Sequence, residues 1–415
     1  MRIEPLIQGV VARSAHPHGC HASIKEQIEY VKKAPQIKSG PKRVLIIGAS
    51  SGFGLAARIA LTFGGAEADT IGVSFERGPS EKGVGSAGWY NNIFFKQEAT
   101  HAGRTAINIV GDAFSDSVRN EVIEAIETYF EGEVDLVIYS LAAGVRPKPH
   151  SDTFWRSVIK PIGESVTGAS ILLENDQWVE TTLEPATEEE AEATIKVMGG
   201  EDWESWIDTL INTESVAQGC KTIAFSYMGP EVTHPIYLDG TLGRAKIDLH
   251  QTSHALNLKL ANFDGGAYAT VCKALVTKAS VFIPALSPYL LALYRVMKEK
   301  GTHERCIEQM QRLFTTKLYD QPKVPVDGER LIRIDDLELD PQTQAEVSHL
   351  LEQMNAENFK ECGDYQGFKD EFMKLNGFNF DDVDYSQDIS LETLSSLKPS
   401  QICFIFEMAS NNLGS

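Results

Sequence analysis

The sequence predicts an α/β protein built on a Rossmann-type, doubly wound parallel sheet. Five apolar runs typical of strands buried on both faces are separated, in several cases, by helical patterns, and this order indicates right-handed βαβ units. A glycine-rich segment directly after the first run opens a helix, as in folds that bind dinucleotides. The five runs are residues 43–47, 70–75, 106–110, 134–141 and 222–228.

Composition excludes several classes of protein. The chain has 415 residues and a net charge of −20, so nucleic acid and anionic membrane surfaces are not expected partners, and an anionic substrate needs a local basic patch.

The six cysteines are scattered without a CxxC motif, which favours reduced thiols in the cytoplasm. Glu4 and Pro5 interrupt the region where a signal peptide would be apolar. The longest apolar stretch, 279–294, contains two prolines, so we expect buried core and no integral membrane segment.

The pattern along the chain predicts four parts. They are an N-terminal extension with a cofactor-binding half (1–80), the rest of the same fold (81–320), a C-terminal helical subdomain (321–398) and a tail (399–415). Ser23 with Glu26 forms a capping box that predicts a first helix, and Asp340 with Pro341 predicts the start of a later one. Residues 145–219 interrupt the strand–helix rhythm; they form either a lid over a substrate or an excursion without a role in binding. We expect a monomer.

The glycine-rich segment from Gly48 to Gly54 predicts the phosphate-binding turn of a nicotinamide dinucleotide. Backbone N–H groups and the positive end of the following helix suit a pyrophosphate at such a turn. The spacing GxxxGxG resembles that of short-chain dehydrogenases, and a plain tight turn is the alternative at this point.

Residues after the other strands predict the rest of the cofactor site. The second strand ends at Glu76, whose carboxylate can hydrogen-bond the adenosine ribose and repel the extra phosphate of NADPH. Arg77 follows directly and could bind that phosphate, so the preference for NADH rests on Glu76. Residues 112–113 and 141–144 follow the third and fourth strands, where this fold brings loops to the carboxyl edge of the sheet.

A tyrosine beside a lysine is the catalytic pair expected in such a fold. The phenol donates a hydrogen bond or a proton to the reacting group, and a nearby ammonium lowers the tyrosine pKa toward neutrality. The dehydrogenase spacing Y-x3-K occurs here, but about one match at any given spacing is expected by chance, and these pairs lie far downstream of the predicted strands. They are Tyr294/Lys298, Tyr319/Lys323 and Tyr365/Lys369.

Tyr237 and Lys246 are a better-placed pair because they follow the fifth strand. On a single helix, nine residues turn through about 900° and would leave the two on opposite faces. Asp239, Gly240 and Gly243 instead predict a turn before a helix that holds Lys246 in its first turns and folds it back toward Tyr237. Spacing alone leaves a purely structural role equally open.

Around this pair the sequence resembles the FabV-type trans-2-enoyl reductases, over about residues 1–398. The stretch SYMGPEVTHPIYLDGTLGRAK matches the family signature, and the Tyr-x8-Lys pattern of the family falls on Tyr237 and Lys246. The resemblance implies that both are catalytic, that Tyr227 contacts substrate and that NADH is the cofactor. It further implies NADH contacts at Gly48, Ala49, Ser50, Ser51, Gly52, Phe53, Phe75, Glu76, Asp112, Ala113, Leu141, Ala142, Lys246, Leu275, Val276 and Thr277. Phe53 departs from the tyrosine of the family, a change that leaves backbone contacts to phosphate intact.

The resemblance implies reduction of trans-2-enoyl thioesters carried on acyl carrier protein or coenzyme A, the last reductive step of fatty-acid elongation. Hydride would add to C3, and Tyr237 would supply the proton. Two alternatives stay open. One is a short-chain dehydrogenase that acts on a ketone or alcohol through a Y-x3-K pair, and the other is a non-catalytic NADH-binding sensor in which Tyr237 is structural. The tail after Pro399 has no counterpart in the family.

Other side chains invite a metal site, a flavin or a docking surface. The candidate metal ligands are His16, His18, Cys20 and His21, and the pair His250 and His254. We expect no metal, because the second pair lacks the glutamate of HExxH and the reduction needs no Lewis acid beside tyrosine and lysine. We expect no flavin, since one glycine-rich dinucleotide turn is visible. If acyl carrier protein is the carrier, Arg146, Lys148 and Lys160 are the first candidates for its docking patch.

Overall fold

A parallel sheet of seven strands is the framework on which the site is built. The protein is described over residues 2–81 and 83–400 of a computed structural model, and these residues contain thirteen strands and thirteen α-helices. The strands are β1 (Ile7–Gln8), β2 (Val11–Ala12), β3 (Arg43–Ile47), β4 (Asp69–Ser74), β5 (Ala106–Val110), β6 (Val134–Tyr139), β7 (Val145–Pro147), β8 (Phe154–Arg156), β9 (Val166–Leu172), β10 (Gln177–Leu183), β11 (Val216–Ser226), β12 (Gly266–Val271) and β13 (Ile332–Arg333). The helices are α1 (Pro17–Lys33), α2 (Gly52–Phe63), α3 (Ala87–His101), α4 (Asp116–Tyr129), α5 (Glu188–Met198), α6 (Glu201–Asn212), α7 (Thr241–Leu260), α8 (Ser287–Glu299), α9 (Cys306–Leu313), α10 (Pro341–Gln353), α11 (Phe359–Cys362), α12 (Tyr365–Lys374) and α13 (Leu391–Ser396).

The strand order of the central sheet is β13-β12-β11-β6-β3-β4-β5, and every pairing in it is parallel. The chain enters at β3 and runs outward through β4 to β5. It then returns to β6 on the other side of β3 and continues through β11 and β12 to β13. This reversal is the doubly wound topology, and it leaves a switch point between β3 and β6 where ligands bind at the carboxyl ends of the strands. The predicted Rossmann-type fold is therefore confirmed.

All five predicted strands are present in the central sheet, and its two further strands, β12 and β13, were not predicted. β4 and β6 end at Ser74 and Tyr139, slightly before the predicted ends, and β11 begins at Val216, well before its predicted start at 222. β12 has the sequence GAYATV, whose small residues lack the branched aliphatic run typical of a buried strand. β13 has only two residues, too few for any pattern.

Apolar layers cover both faces of the sheet. Along β3 the side chains alternate: Val44 and Ile46 join the core under α1, α2, α3, α8 and α9, whereas Leu45 and Ile47 join the core under α4, α6 and α7. All four side chains are fully buried. This two-sided burial is the reason that the strand has no polar alternation.

α1 begins at Pro17, so the predicted capping box at Ser23 is wrong. His16 is the N-cap, its Nδ1 accepts a hydrogen bond from the Gly19 N–H at 3.4 Å, and Pro17 occupies the first helical position. Ser23 lies inside the helix, where its hydroxyl accepts a hydrogen bond from the Gln27 side chain. The fixed φ of proline starts the helix earlier than the polar pattern indicates.

The predicted insertion, residues 145–219, contains two hairpins, two helices and the beginning of β11. β7–β8 and β9–β10 are antiparallel pairs outside the central sheet. α6 packs on the sheet instead: Trp203 and Trp206 are fully buried, and the Trp203 indole donates to the Thr222 hydroxyl at 2.8 Å. α6 therefore serves as a crossover helix that leads into β11. A lid function for the hairpins stays a prediction.

The C-terminal part is helical and adds the edge strand β13. The Asp340 side chain accepts a hydrogen bond from the Thr343 N–H at 2.9 Å, and Pro341 starts α10, so the predicted start of this helix is confirmed. Val347 and Phe372 pack into the core that also contains α8. Among the residues described, no helix is long and apolar enough to cross a membrane. The division into domains stays a prediction, and the predicted tail lies, from residue 401 on, outside the described residues.

Asp202→Ala should lower the free energy of unfolding by about 3–5 kcal/mol. The buried Asp202 carboxylate accepts from the Arg119 guanidinium at 2.7 Å and from the Tyr139 hydroxyl at 2.9 Å, so its loss leaves a buried cation without its counter-charge. Urea unfolding followed by circular dichroism measures the change. The control is Asp208→Ala, which removes a surface pair with Lys259 and should cost no more than about 1 kcal/mol. Equal losses in the two variants would contradict this account.

Candidate active site

The glycine-rich turn lies where β3 meets α2. Gly48 has a φ of 93°, and a Cβ there would lie 2.2 Å from the Ser140 carbonyl oxygen, so only glycine allows this approach to the end of β6. Ser51 is the N-cap of α2, but its hydroxyl makes no capping bond and the first turn carries no acidic residue. The N–H groups at this helix end therefore fit a pyrophosphate. Ser51 and Gly52 line a cleft together with Val276.

Glu76 is held by two serine hydroxyls. Ser50 Oγ donates to one carboxylate oxygen at 2.5 Å, and Ser86 Oγ donates to the other. Ser50 belongs to the glycine turn and Ser86 is the N-cap of α3, so the carboxylate joins two segments around the predicted ribose position. The neighbouring Phe75 is 82% exposed, which leaves an apolar ring face available for a planar ligand group.

The remaining predicted cofactor residues at the sheet also follow carboxyl ends of strands. Asp112 and Ala113 come after β5, and Leu141 and Ala142 come after β6. The Asp112 carboxylate accepts from the Phe114 N–H at 3.0 Å, which orders this loop. Ala113 is buried, and Ala142 is exposed at the switch point. The topology thus brings these residues to the same edge as the glycine turn.

Residues 275–277 form the loop after β12 and are supported by α8. The Val276 N–H donates to the Tyr294 hydroxyl at 2.9 Å, and that hydroxyl donates to the Glu371 carboxylate at 2.6 Å. Tyr294 is fully buried. The tyrosine of the first Y-x3-K pair therefore positions the loop that lies across the cleft from the glycine turn.

The backbone of Tyr237 caps α7. Its carbonyl oxygen accepts from the Gly240 N–H at 3.1 Å and the Gly243 N–H at 2.9 Å, so the predicted turn and helix between Tyr237 and Lys246 are present. The Tyr237 ring is 5% exposed and meets the Tyr227 ring edge to face, with centroids 4.9 Å apart. Its hydroxyl has no hydrogen-bond partner in the part of the chain that the structure describes.

Lys246 is the sixth residue of α7 and points toward the end of β11. Its ammonium donates to the Phe225 carbonyl oxygen at 3.1 Å, and the Phe225 ring packs on Phe53 of the glycine turn with centroids 5.4 Å apart.

Burial lowers the pKa of Lys246 to about 8. Burial, and then the Cys272 thiol, raise the pKa of Tyr237. The expectation that the ammonium lowers the pKa of this tyrosine is therefore wrong, because the low polarity around the phenol dominates.

Glu338 is a buried carboxylate that no sequence pattern indicated. One of its oxygens accepts from the hydroxyls of Tyr227 at 3.0 Å and Tyr289 at 2.6 Å, and the other accepts from the Ala274 N–H at 2.8 Å. Burial raises the pKa of Glu338, and nearby Lys273 opposes this rise. The acidic C-terminal part contains many glutamates, and the sequence alone does not distinguish Glu338 from the others.

The two tyrosine hydroxyls differ in what they can do. Tyr227 already donates its proton to Glu338, whereas the Tyr237 hydroxyl is unengaged. Burial raises the pKa of both phenols, so both stay protonated near neutral pH. The Tyr237 hydroxyl can therefore donate a hydrogen bond to an oxygen atom of a bound molecule. The Tyr227 hydroxyl can only accept a hydrogen bond while its own proton is donated to Glu338. The geometry fits acid catalysis at Tyr237.

Two of the Y-x3-K pairs are engaged in structural contacts. The Tyr365 hydroxyl and the Lys369 ammonium both bind Asp176. Lys298 forms an ion pair with Asp364 at 2.6 Å rather than approaching a phenol oxygen. These pairs therefore hold the C-terminal helices in place.

The histidines considered as metal ligands also have protein partners. His250 Nε2 lies 2.8 Å from the Ser226 hydroxyl, and His254 Nε2 lies 3.0 Å from the Glu329 carbonyl oxygen. His16 caps α1. Within residues 2–81 and 83–400, no group of three or more His, Cys, Asp or Glu side chains is arranged to hold a metal ion.

The predicted docking patch at Arg146, Lys148 and Lys160 is not a free basic surface. Arg146 is buried and pairs with Glu201 at 3.1 Å, and Lys160 pairs with Glu190 at 2.7 Å. Carboxylates of the same chain thus neutralise two of the three cations, and an acidic partner would gain little attraction here. The predicted free basic patch is therefore absent at Arg146 and Lys160, and the docking site of acyl carrier protein stays a prediction.

A doubly wound sheet, a glycine turn at its switch point and a carboxylate at the predicted ribose position are the features of an oxidoreductase of the Rossmann type that uses a nicotinamide dinucleotide. Three family models match the chain in succession. They are described as the NAD(P)H binding domain of trans-2-enoyl-CoA reductase (2–81), the trans-2-enoyl-CoA reductase catalytic region (83–319) and the enoyl reductase FAD binding domain (326–389).

Relatives match over nearly the whole chain. The chain is 99% identical to the enoyl-acyl-carrier-protein reductase (NADH) 2 of Vibrio parahaemolyticus serotype O3:K6, over 96% of this chain and 100% of the relative. It is 48% identical to the trans-2-enoyl-CoA reductase (NADH) of Clostridium beijerinckii, over 95% of this chain and 98% of the relative. The crystal structure of Clostridium acetobutulicum trans-2-enoyl-CoA reductase in complex with NADH matches with a TM-score of 0.94 at 46% identity, covering 96% of this chain and 100% of that chain. The chain belongs to the trans-2-enoyl-CoA reductase family, which confirms the resemblance.

The description of the third model raises the question of a flavin in residues 326–389. This segment forms β13, the helices α10 to α12 and the loops between them. It contains no glycine-rich turn that joins a strand to a helix. Its buried carboxylate, Glu338, already has three donors from the protein. These residues therefore do not fit a flavin dinucleotide.

Glu76→Ala should narrow the difference in affinity between NADH and NADPH by roughly tenfold, the factor that corresponds to about 1.4 kcal/mol of lost repulsion. Ser50 and Ser86 orient the wild-type carboxylate, and at the predicted ribose position it would repel the extra phosphate of NADPH. Fluorescence titration with both nucleotides measures the ratio. Glu81→Ala, an exposed change of the same charge, should leave the ratio unaltered. A wild-type preference for NADPH would contradict the assignment.

Proposed function

We propose that this chain catalyses the NADH-dependent reduction of trans-2-enoyl thioesters, on acyl carrier protein or coenzyme A, to saturated acyl thioesters. The observation that carries the proposal is the protonated, unengaged hydroxyl of Tyr237 at the edge of the sheet where the cofactor residues converge. Relatives named for each of the two carriers support the substrate class. Loss of NADH absorbance on addition of a short trans-2-enoyl-CoA is the direct test.

The cofactor would be held by the residues assigned to it at the carboxyl edge. They are residues 48–53, 75–76, 112–113, 141–142 and 275–277, with Lys246. We assign Lys246 to the nicotinamide ribose, because its ammonium is fixed on the Phe225 carbonyl oxygen next to the glycine turn. When bound, NADH supplies the hydride that adds to C3 of the substrate.

Tyr237 completes the reduction at the oxygen and at C2. As hydride adds to C3, the electron pair of the C2–C3 double bond shifts toward C1 and negative charge develops on the thioester oxygen. The Tyr237 hydroxyl donates a hydrogen bond to this oxygen and supplies the proton that C2 takes up when the enolate collapses. One hydride and one proton are thus added across the double bond. The phenolate is then reprotonated from solvent.

Tyr227 positions the thioester rather than protonating it. Its hydroxyl is tied to Glu338 at 3.0 Å, and its ring meets the edge of the Tyr237 ring. The pair Tyr227–Glu338 therefore sets where the Tyr237 ring, and with it the acidic proton, lies. Glu338 acts through Tyr227 and is a positioning residue.

The same assays distinguish the proposed function from two others. A dehydrogenase acting on ketones would reduce a ketoacyl thioester faster than an enoyl thioester. A sensor without catalytic activity would bind NADH and turn over neither substrate. Five cysteines of the described chain carry unpaired thiols, which supports a reducing compartment, and we place the enzyme in the cytoplasm as a monomer.

Tyr237→Phe should lower turnover about 10²- to 10³-fold or more, because it removes an oxyanion donor and the proton source together. NADH affinity should change less than about twofold, since the ring stays in place. Turnover is measured at saturating NADH, with folding checked by circular dichroism. Tyr227→Phe, measured in parallel, should be milder and act mainly on KM. If Tyr227→Phe is inactive while Tyr237→Phe retains turnover, the two roles are reversed.

Glu338→Gln should lower kcat/KM for the enoyl thioester by roughly tenfold or more, because a hydrogen bond to a charged acceptor is worth about 1.5–3 kcal/mol. The Tyr227 proton is then less firmly held. A double-mutant cycle with Tyr227→Phe separates positioning from general destabilisation. If Glu338 acts through Tyr227, its substitution should have little further effect in the Tyr227→Phe background. Fully additive effects, or a loss matched by the exposed control Glu346→Gln, would contradict this role.

A further inference from the structure

Three cations line a cleft beside the assigned cofactor site. The cleft lies between the β1–β2 hairpin, the start of α3, the loop after residue 277 and α12. Arg13, Arg77 and Lys278 are among its lining residues. None of the three forms an ion pair with any residue that the structure describes. We call this feature the cationic cleft.

The cationic cleft is unusual in so acidic a chain. The net charge is −20, and other cations, such as Lys160 and Arg146, lie against carboxylates of the same chain. Three cations that share one concavity without such partners repel each other, and an anionic ligand relieves this repulsion. The cleft also contains the start of α3, whose N-cap hydroxyl, Ser86, is directed to Glu76 instead of the helix.

The cleft borders the cofactor site without sharing its residues. Arg77 directly follows Glu76, and Lys278 directly follows Thr277. None of the residues assigned to NADH lines the cleft. Two of the three cations of the cleft are thus direct chain neighbours of residues assigned to the cofactor. Val281 and Phe282, the latter 51% exposed, give the cleft an apolar wall for an uncharged linker.

We propose that the cationic cleft binds phosphate of the thioester carrier. Both carriers place a phosphate at the far end of a pantetheine arm: coenzyme A has a pyrophosphate and a ribose 3′-phosphate, and acyl carrier protein has a phosphodiester to serine. Guanidinium and ammonium groups form charge-assisted hydrogen bonds with such oxygens. The inference rests on the proposed function and concerns the part of the substrate that does not react.

Substrates with and without phosphate test the proposal. Arg13→Gln and Lys278→Gln should each raise KM for crotonyl-CoA about two- to fivefold, as expected for partly exposed ionic contacts, and the double variant should raise it further. KM for NADH, and kcat/KM for the crotonyl thioester of N-acetylcysteamine, which has no phosphate, should change less than twofold. Lys160→Gln is the matched control, since its cation is already paired with Glu190. It should behave as wild type with all substrates.

The two carriers are distinguished by competitors. Adenosine 3′,5′-bisphosphate should inhibit competitively against crotonyl-CoA if the nucleotide end of coenzyme A occupies the cleft. 4′-Phosphopantetheine should inhibit instead if the shared phosphate does, and crotonyl-acyl carrier protein should then show the same rise in KM in the variants.

Four kinetic results would overturn the proposal: no change in either variant, equal effects on the phosphate-free thioester, a rise confined to KM for NADH, or a rise in the Lys160→Gln control. Calorimetric titration of wild type and double variant with coenzyme A tests binding without turnover. If no enoyl thioester is reduced, the proposed function fails, whereas weaker coenzyme A binding in the double variant still supports the cleft. Equal binding overturns it.

Discussion

A buried carboxylate must find hydrogen-bond donors, since an uncompensated charge in the interior costs several kcal/mol. Glu338 finds them in Tyr227 at the end of β11, Tyr289 in α8 and Ala274 after β12. Because these donors come from separate elements, the Glu338 carboxylate holds the C-terminal part against the edge of the sheet. With Tyr227 held in this way, Tyr237 packs against a fixed ring and keeps an unengaged hydroxyl. The arrangement of the candidate site depends on this contact.

The parts of the fold that the sequence predicted are those whose cause is local. β3 is buried on both faces and is a continuous apolar run, and the Asp340 cap lies beside the helix it starts. Gly48 is required by the backbone of the same turn. Contacts between distant residues leave no local pattern. Glu338 lies 111 residues from Tyr227 in the chain, and the small side chains of β12 fit a strand only because its neighbours cover them.

The charge of a residue can be read from the sequence, but its pairing cannot. Arg146 and Lys160 looked like a basic patch because their carboxylate partners, Glu201 and Glu190, come from helices that follow much later in the chain. The same limit applies to acidity. The Tyr-x8-Lys spacing suggested a phenol of lowered pKa, whereas the interior around Tyr237 raises it. A family signature can thus identify the residues at a site while the physical environment decides what each of them does.

Cys272 illustrates a further effect of this environment. Its thiol lies close enough to Tyr237 and Lys246 to influence the pKa of both. An α,β-unsaturated thioester is an electrophile at C3, the carbon that receives hydride, and a thiolate within reach would add to it. Burial raises the pKa of Cys272 well above its ordinary range, so the sulfur stays a neutral, weakly nucleophilic thiol. The low polarity that keeps the phenol protonated thereby also keeps this neighbouring thiol in its unreactive form.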